Sequence, residues 1–166
     1  MAVQGGNTIN HNALYAGMVT SLQLVNTVSK FNGTGATIAY GLGVVSDGET
    51  GMKLPESSST GAEFIGVVKY ELNRAYQDGA VMGATDKFDA TVVTRGEIAV
   101  MPAVDVSRDD DVYLIVGNGT GAKDGMFTNV AGTGATAAVQ ITGAKWTTTT
   151  TTASAQPGKI SLGIGG

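Results

Sequence analysis

Turn signals constrain this chain more than any other feature. Short β-branched or aromatic runs are interrupted every few residues by Asn-Gly, Asp-Gly or closely spaced glycines. No segment sustains a 3.6-residue apolar stripe long enough for a packed helix. Gly accounts for 25 of 166 residues, about twice the usual ~7%. Glycine weakens helix and strand interiors and suits tight turns. The expected fold class is therefore all-β: one compact β-barrel or sandwich over residues 13–166, preceded by an extended N-terminal arm over residues 1–12. The arm is polar and without a clear period, as either a free tail or a segment that orders on a neighbouring subunit would be.

The strands can be placed along the chain. From Leu22 to Phe31 the sequence suits a strand, and Asn32-Gly33 reads as the turn of a hairpin returning through Ala36, Ile38 and Tyr40. Asp47-Gly48 marks a second turn after Val44-Val45. Lys53-Leu54-Pro55 begins an exposed loop, because proline cannot donate to a central ladder. Phe64–Val68 is a short apolar strand, and Tyr70 to Tyr76 has room for one helical turn. Asp78-Gly79 leads into Ala80-Val81-Met82. Ala90–Val93 and the alternating Glu97–Val100 are read as separate runs. Val112–Val116 reads as a central buried strand, and Met126-Phe127, Val139–Ile141 and Ile160–Ile164 follow as later strands.

Charge and composition exclude several functional classes. The formal net charge is −4 and charged residues make up 14%. The ten basic residues are scattered, so a nucleic-acid partner is not expected. No run approaches the ~20 apolar residues of a membrane-spanning helix. The N-terminus lacks a signal-peptide pattern, which points to synthesis in a cytoplasm. With no cysteine, disulfides, thiolate catalysis and cysteine zinc sites drop out together.

The candidate chemical motifs are weak. Gly-Thr-Gly-Ala occurs at Gly33–Ala36, Gly119–Ala122 and Gly132–Ala135, without the strand-to-helix context of a phosphate loop, and reads as hairpin tips. Asp105 with Asp109, Asp110 and Asp111 lacks the glycine and glutamate positions of a calcium loop and reads as a solvated turn. His11, the single histidine, lies in the arm, away from any group that could orient it. Paired-carboxylate hydrolysis lacks aromatic platforms around the acids. Thr147–Thr152 suits an edge strand or loop, and Trp146 a core or interface anchor. No catalytic, cofactor-binding or metal-ligating residue is assigned, and the chain is not expected to be an enzyme.

From about Tyr15 to Ile164 the order of features resembles the structural cement proteins that decorate the capsids of tailed bacteriophages. Ala16-Gly17-Met18-Val19 looks like the family's entry segment, and Tyr40–Val45 like its glycine-bearing strand. Lys53-Leu54-Pro55, Phe64–Val68, Asp78-Gly79, Thr94–Val100, Asp111-Val112-Tyr113 and Gly143–Trp146 follow in the expected order. The resemblance implies a β-tulip-like body that binds the outer surface of an assembled head without catalysis and stabilises capsomer junctions. It also implies the major capsid protein as partner and the virion as location. Repeated lattice sites favour a homo-oligomer, a trimer ahead of a dimer. The alternative is a β-rich tail-tip or surface recognition protein, which would show exposed aromatic anchors.

Overall fold

The computed structural model describes residues 14–20, 24–71, 81–117 and 123–163. These form β1 (Asn26–Asn32), β2 (Ile38–Ala39), β3 (Gly43–Asp47), β4 (Gly51–Lys53), β5 (Phe64–Val68) and β6 (Gly83–Ala84). The series continues with β7 (Asp89–Val100), β8 (Asp111–Ile115), β9 (Phe127–Thr128), β10 (Ala138–Trp146) and β11 (Gly158–Leu162). Three single-turn 3-10 helices connect them, and no α-helix occurs among the described residues. The expected all-β class holds.

The strands run β1-β4-β3-β5-β7, and β1 also pairs with β7, so five strands close a ring. Beyond it the sheet continues β7-β11-β10-β8-β9. β7 therefore belongs to both parts. Residues 89–95 pair with β1, and residues 96–100 pair with β11. Gly96, with φ 123°, sits at the change of partner, in a backbone region that favours glycine. Residues 17–20 line the other side of the same half of β7: Gly17 N–H donates to Ala99 O at 2.7 Å and Ala99 N–H to Met18 O at 2.9 Å.

Strand alternation explains how so few large side chains fill this body. Successive residues point to opposite faces, and β3, β5 and β7 each carry a Val-Val pair. Val45, Val67 and Val93 join a core with Leu114, Phe127 and Trp146. Their neighbours Val44, Val68 and Val92 join a second core with Ile38, Tyr40 and Met52. The register Val67↔Val93 and Val68↔Val92 keeps the two sets apart.

Several sequence expectations need correction. Asn32-Gly33 is not the turn of a hairpin between neighbours: β1 pairs with β7 and β4, while β2 pairs with β6. Asn32 is fully buried, and its side chain ties the following loop together. Its Nδ2 donates to Ala36 O and Ala84 O, both at 2.8 Å, and its Oδ1 accepts from Thr34 Oγ1 at 2.8 Å. Ala90–Val93 and Glu97–Val100 are one twelve-residue strand. Pro55 is buried inside its loop rather than exposed. The Asp47-Gly48 turn stands as expected, joining β3 to β4 with Gly48 at φ 69°. The arm over residues 1–12, most of the Tyr70–Tyr76 segment and Asp78-Gly79 lie outside the described residues.

Candidate interaction surface

The acidic turn singled out in the sequence fastens a loop. Asp105 Oδ1 accepts from Thr152 N–H at 2.7 Å and from its hydroxyl at 2.8 Å. Asp110 Oδ2 accepts from Asn129 Nδ2 at 2.7 Å and from Ser107 N–H at 2.8 Å. Asp111 pairs with Lys145 at 2.8 Å, and Asp109 stands exposed with φ 71°. A bridge between Val106 and Thr150 completes the zipper. The Thr147–Thr152 run is thus a loop stitched to the acidic turn, with Arg108 N–H donating to Thr149 Oγ1. These carboxylates face different partners, and among the described residues no three His, Cys, Asp or Glu side chains converge on one point.

The hydrogen bonds favour the charged forms of these groups. The Thr152 backbone N–H, then its hydroxyl, holds the Asp105 carboxyl below its ordinary value. The Asn129 amide and then Ser107 N–H do the same for Asp110. Hydrogen bonding from Lys145 to Asp111 raises the ammonium. A second polar network has no signature in the sequence. Glu97, partly buried on β7, accepts from Thr20 Oγ1 at 2.6 Å and lies 3.6 Å from Lys159 Nζ. Burial disfavours its ionised form, but the bonds from Thr20 and Thr147 and the charge of Lys159 outweigh that, and its pKa is lowered. Glu97 alternates with apolar residues in sequence, and nothing local marks Thr20 as its partner.

The remaining motifs fall into plain structural positions. Gly33–Ala36 and Gly132–Ala135 are exposed, the first in a loop pinned by Gly35 N–H donating to Asp86 Oδ1 at 2.8 Å and the second running into the 3-10 turn Gly134–Thr136. Gly119–Ala122 and His11 lie outside the described residues. Trp146 is fully buried, and its Nε1 donates to Thr128 O at 3.4 Å, so it is a core residue.

Two of the depressions formed by the described residues can be outlined. One, of about 640 Å³, lies between the Leu54–Ser57 loop, Asp47 and Asp124. The other, of about 440 Å³, runs between Phe64, Ile65, Thr94 and Ile141. Both are partly open to solvent. Apolar side chains are exposed elsewhere. Tyr15 is 57% exposed and stacks on Tyr70, whose ring meets Tyr40 edge-on at 5.3 Å. Leu24, Val28, Phe31 and Phe88 are also exposed, on or near β1. No helix among the described residues is long and apolar enough to cross a membrane.

A β-barrel body, loops stitched by carboxylates, partly open depressions and an exposed strand suit a protein that meets other proteins across its surface. Residues 3–163 match the model of a family described as structural cement protein (E217 gp24/Pam3 gp6), and the chain belongs to that family of phage structural cement proteins. Among solved structures it is similar to a chain from "The capsid of Myoviridae Phage XM1", with a TM-score of 0.70 at 19% identity. The match covers 92% of this chain and 91% of that one, and at this identity it shows the fold. No curated protein matches. The family gives the chain a capsid-associated, structural role in the virion.

Proposed function

We propose that the protein binds the outer surface of the assembled phage head and stabilises the junctions between capsomers, acting without catalysis. The match to the cement family across residues 3–163 carries this reading. The physics supports it. A ligand that binds the closed shell but not the opened one stabilises the closed state by mass action, and many copies make modest contacts collectively strong. The partner is the major capsid protein, met on heads assembled in the host cytoplasm. Residues 1–12 reach from the barrel onto the capsid or a neighbouring copy. Repeated sites call for a symmetric oligomer, either a trimer at threefold junctions or a dimer at twofold junctions, and the surface of β1 bears on the choice.

Adding purified protein to undecorated heads tests the reading. Saturable uptake in the range of one oligomer per junction, with decorated heads opening at a higher temperature, is the expected result. Uptake confined to one vertex or to tails would instead fit a recognition protein. Heads that melt identically with full decoration would remove the stabilising role.

A further inference from the structure

β1 stands apart from every other strand of five or more residues: Asn26–Ser29 and Phe31 are exposed, so neither face of the strand is covered along most of its length. Its hydrogen bonds fix the direction of each backbone group. Asn32 N–H donates to Phe88 O, on the β7 side, at 3.0 Å. Phe31 N–H donates the other way, to Thr50 O, at 2.9 Å. Backbone groups alternate in direction along a strand. Lys30 and Val28 therefore turn their N–H and C=O towards β7, and Ser29 and Thr27 turn theirs away from it. β4 meets β1 at Phe31 and Asn32 alone. Thr27 and Ser29 thus present an open ladder edge, with no backbone partner on that side among the described residues.

Open edges are normally protected by proline, charge or a bulge. Between Thr27 and Ser29 there is none of these. The one charge on the strand, Lys30, donates its ammonium hydrogen to Glu49 O and is held to the side. The register shift with β7 falls before Thr27, outside the open stretch.

We infer that two copies of this chain join by antiparallel pairing of their β1 edges about a twofold axis at Val28. The open groups select that register. Thr27 and Ser29 flank Val28 symmetrically, so Thr27 falls opposite the partner subunit's Ser29, and Ser29 opposite the partner subunit's Thr27. Each is then a hydrogen-bonded pair, and the N–H and C=O of both residues are all used. Val28 meets its own copy as a non-hydrogen-bonded pair, with Cα atoms about 4.5 Å apart, which covers a side chain now 37% exposed. Lys30 falls opposite the partner subunit's Asn26, so no like charges oppose each other, which would be destabilising in a sheet. The free stretch ends at Phe31, whose N–H is taken by Thr50, and at the shift beside Asn26. Of the two symmetric oligomers, the edge makes the dimer. The proposal rests on the reading that the protein assembles on a lattice, since a weak edge contact gains from repetition there.

The absence of cysteine permits a direct test with full-length protein. In Val28→Cys the new thiols lie opposite each other, within the Cα range of about 4.4–6.8 Å that a disulfide spans. In Ser29→Cys each thiol faces the partner subunit's Thr27, and the two sulfur-bearing residues are too far apart. Mild oxidation is expected to convert Val28→Cys to a covalent dimer at least tenfold faster than Ser29→Cys, free and on heads alike. Ser29→Pro removes an outward N–H that the monomer does not use, as proline on a strand edge allows. It is expected to keep the thermal melt and lose dimerisation by sedimentation. Equal oxidation of the two cysteine variants, or none in either, overturns the pairing; so does an unchanged mass for Ser29→Pro. If Val28→Cys stays monomeric while the natural chain still coats heads, the edge belongs to a capsid strand or to no one, and the cement reading survives. If the natural chain dimerises through Val28 but never coats heads, the reading fails and the pairing stands.

Discussion

Asn32 shows how one amide can organise a loop that has little other support. It is fully buried, its Nδ2 is saturated by two carbonyls, and its Oδ1 accepts from Thr34. An isosteric carboxylate would face those carbonyls with an acceptor where a donor is needed. Asn32→Asp is expected to destabilise the fold by about 3 kcal/mol, the cost of a buried unpaired charged acceptor, read as a lower thermal midpoint at neutral pH. The sequence marked this residue, but for the wrong reason, because an Asn-Gly pair signals a turn locally and says nothing of a carbonyl at Ala84. Trp146 was legible as a core or interface anchor, because a lone large ring among small residues has few other places to go, and its full burial makes it core. The acidic turn was legible as a turn, whereas its partners Thr152 and Asn129 come from distant sequence. The pH behaviour of the fold follows from the lowered pKa values of Asp105 and Asp110 in that turn and of Glu97 on β7. A carboxyl lowered on folding stabilises the native state above its unfolded pKa, and that stability is lost as pH falls through the folded value. The melting temperature should be flat from neutral to about pH 5 and fall below about pH 4. Asp110→Asn should make the acid limb shallower, and an unchanged limb in that variant would remove Asp110 from the account.

At the scale of elements, β7 carries the architecture. Its N-terminal half closes the ring with β1 and its C-terminal half carries β11 and residues 17–20. The sequence showed two runs because Thr94-Arg95-Gly96 breaks the alternation of buried residues between them, although the backbone runs through. Gly96 is where strain would concentrate: at φ 123° an added Cβ would lie 2.9 Å from Val25 Cγ2. Gly35 has φ 82° but nothing within 4 Å of such an atom. Both Gly→Ala changes incur backbone strain of about 1–3 kcal/mol, and Gly96→Ala adds a steric contact. Urea midpoints should therefore fall further for Gly96→Ala than for Gly35→Ala. The reverse order would mean that Val25 yields freely and that β7 is not constrained at its midpoint. The short strands β2, β4, β6 and β9 are two or three residues each. They were mostly invisible or blurred in sequence because pairing, not propensity, defines pieces that small. β10 was seen only around Val139–Ile141, since the Thr142–Lys145 stretch is too polar to announce a strand that ends at Trp146.

For the molecule as a whole, the question is whether two cores mean two folding units. Val92 lies in the core with Met52 and Tyr40, and Val93 in the core with Trp146 and Phe127. They are adjacent on one strand, as are Val44-Val45 and Val67-Val68, so neither core can lose its strands without removing the other's. Small domains joined so closely unfold in one cooperative step. Trp146 is the single tryptophan and is fully buried, so its fluorescence reports one core while far-UV circular dichroism reports all the strands. Val92→Ala and Val93→Ala should each cost about 2–3 kcal/mol through lost burial and a residual cavity, lowering the midpoint by roughly 5–10 °C for a chain of this size. Although Val92 lies in the core that does not contain Trp146, its substitution should move the tryptophan transition as far as the dichroism transition. A Val92→Ala protein whose dichroism begins to melt while tryptophan emission stays native would show two separable units. Coincident curves in both variants would show that the paired valines make one.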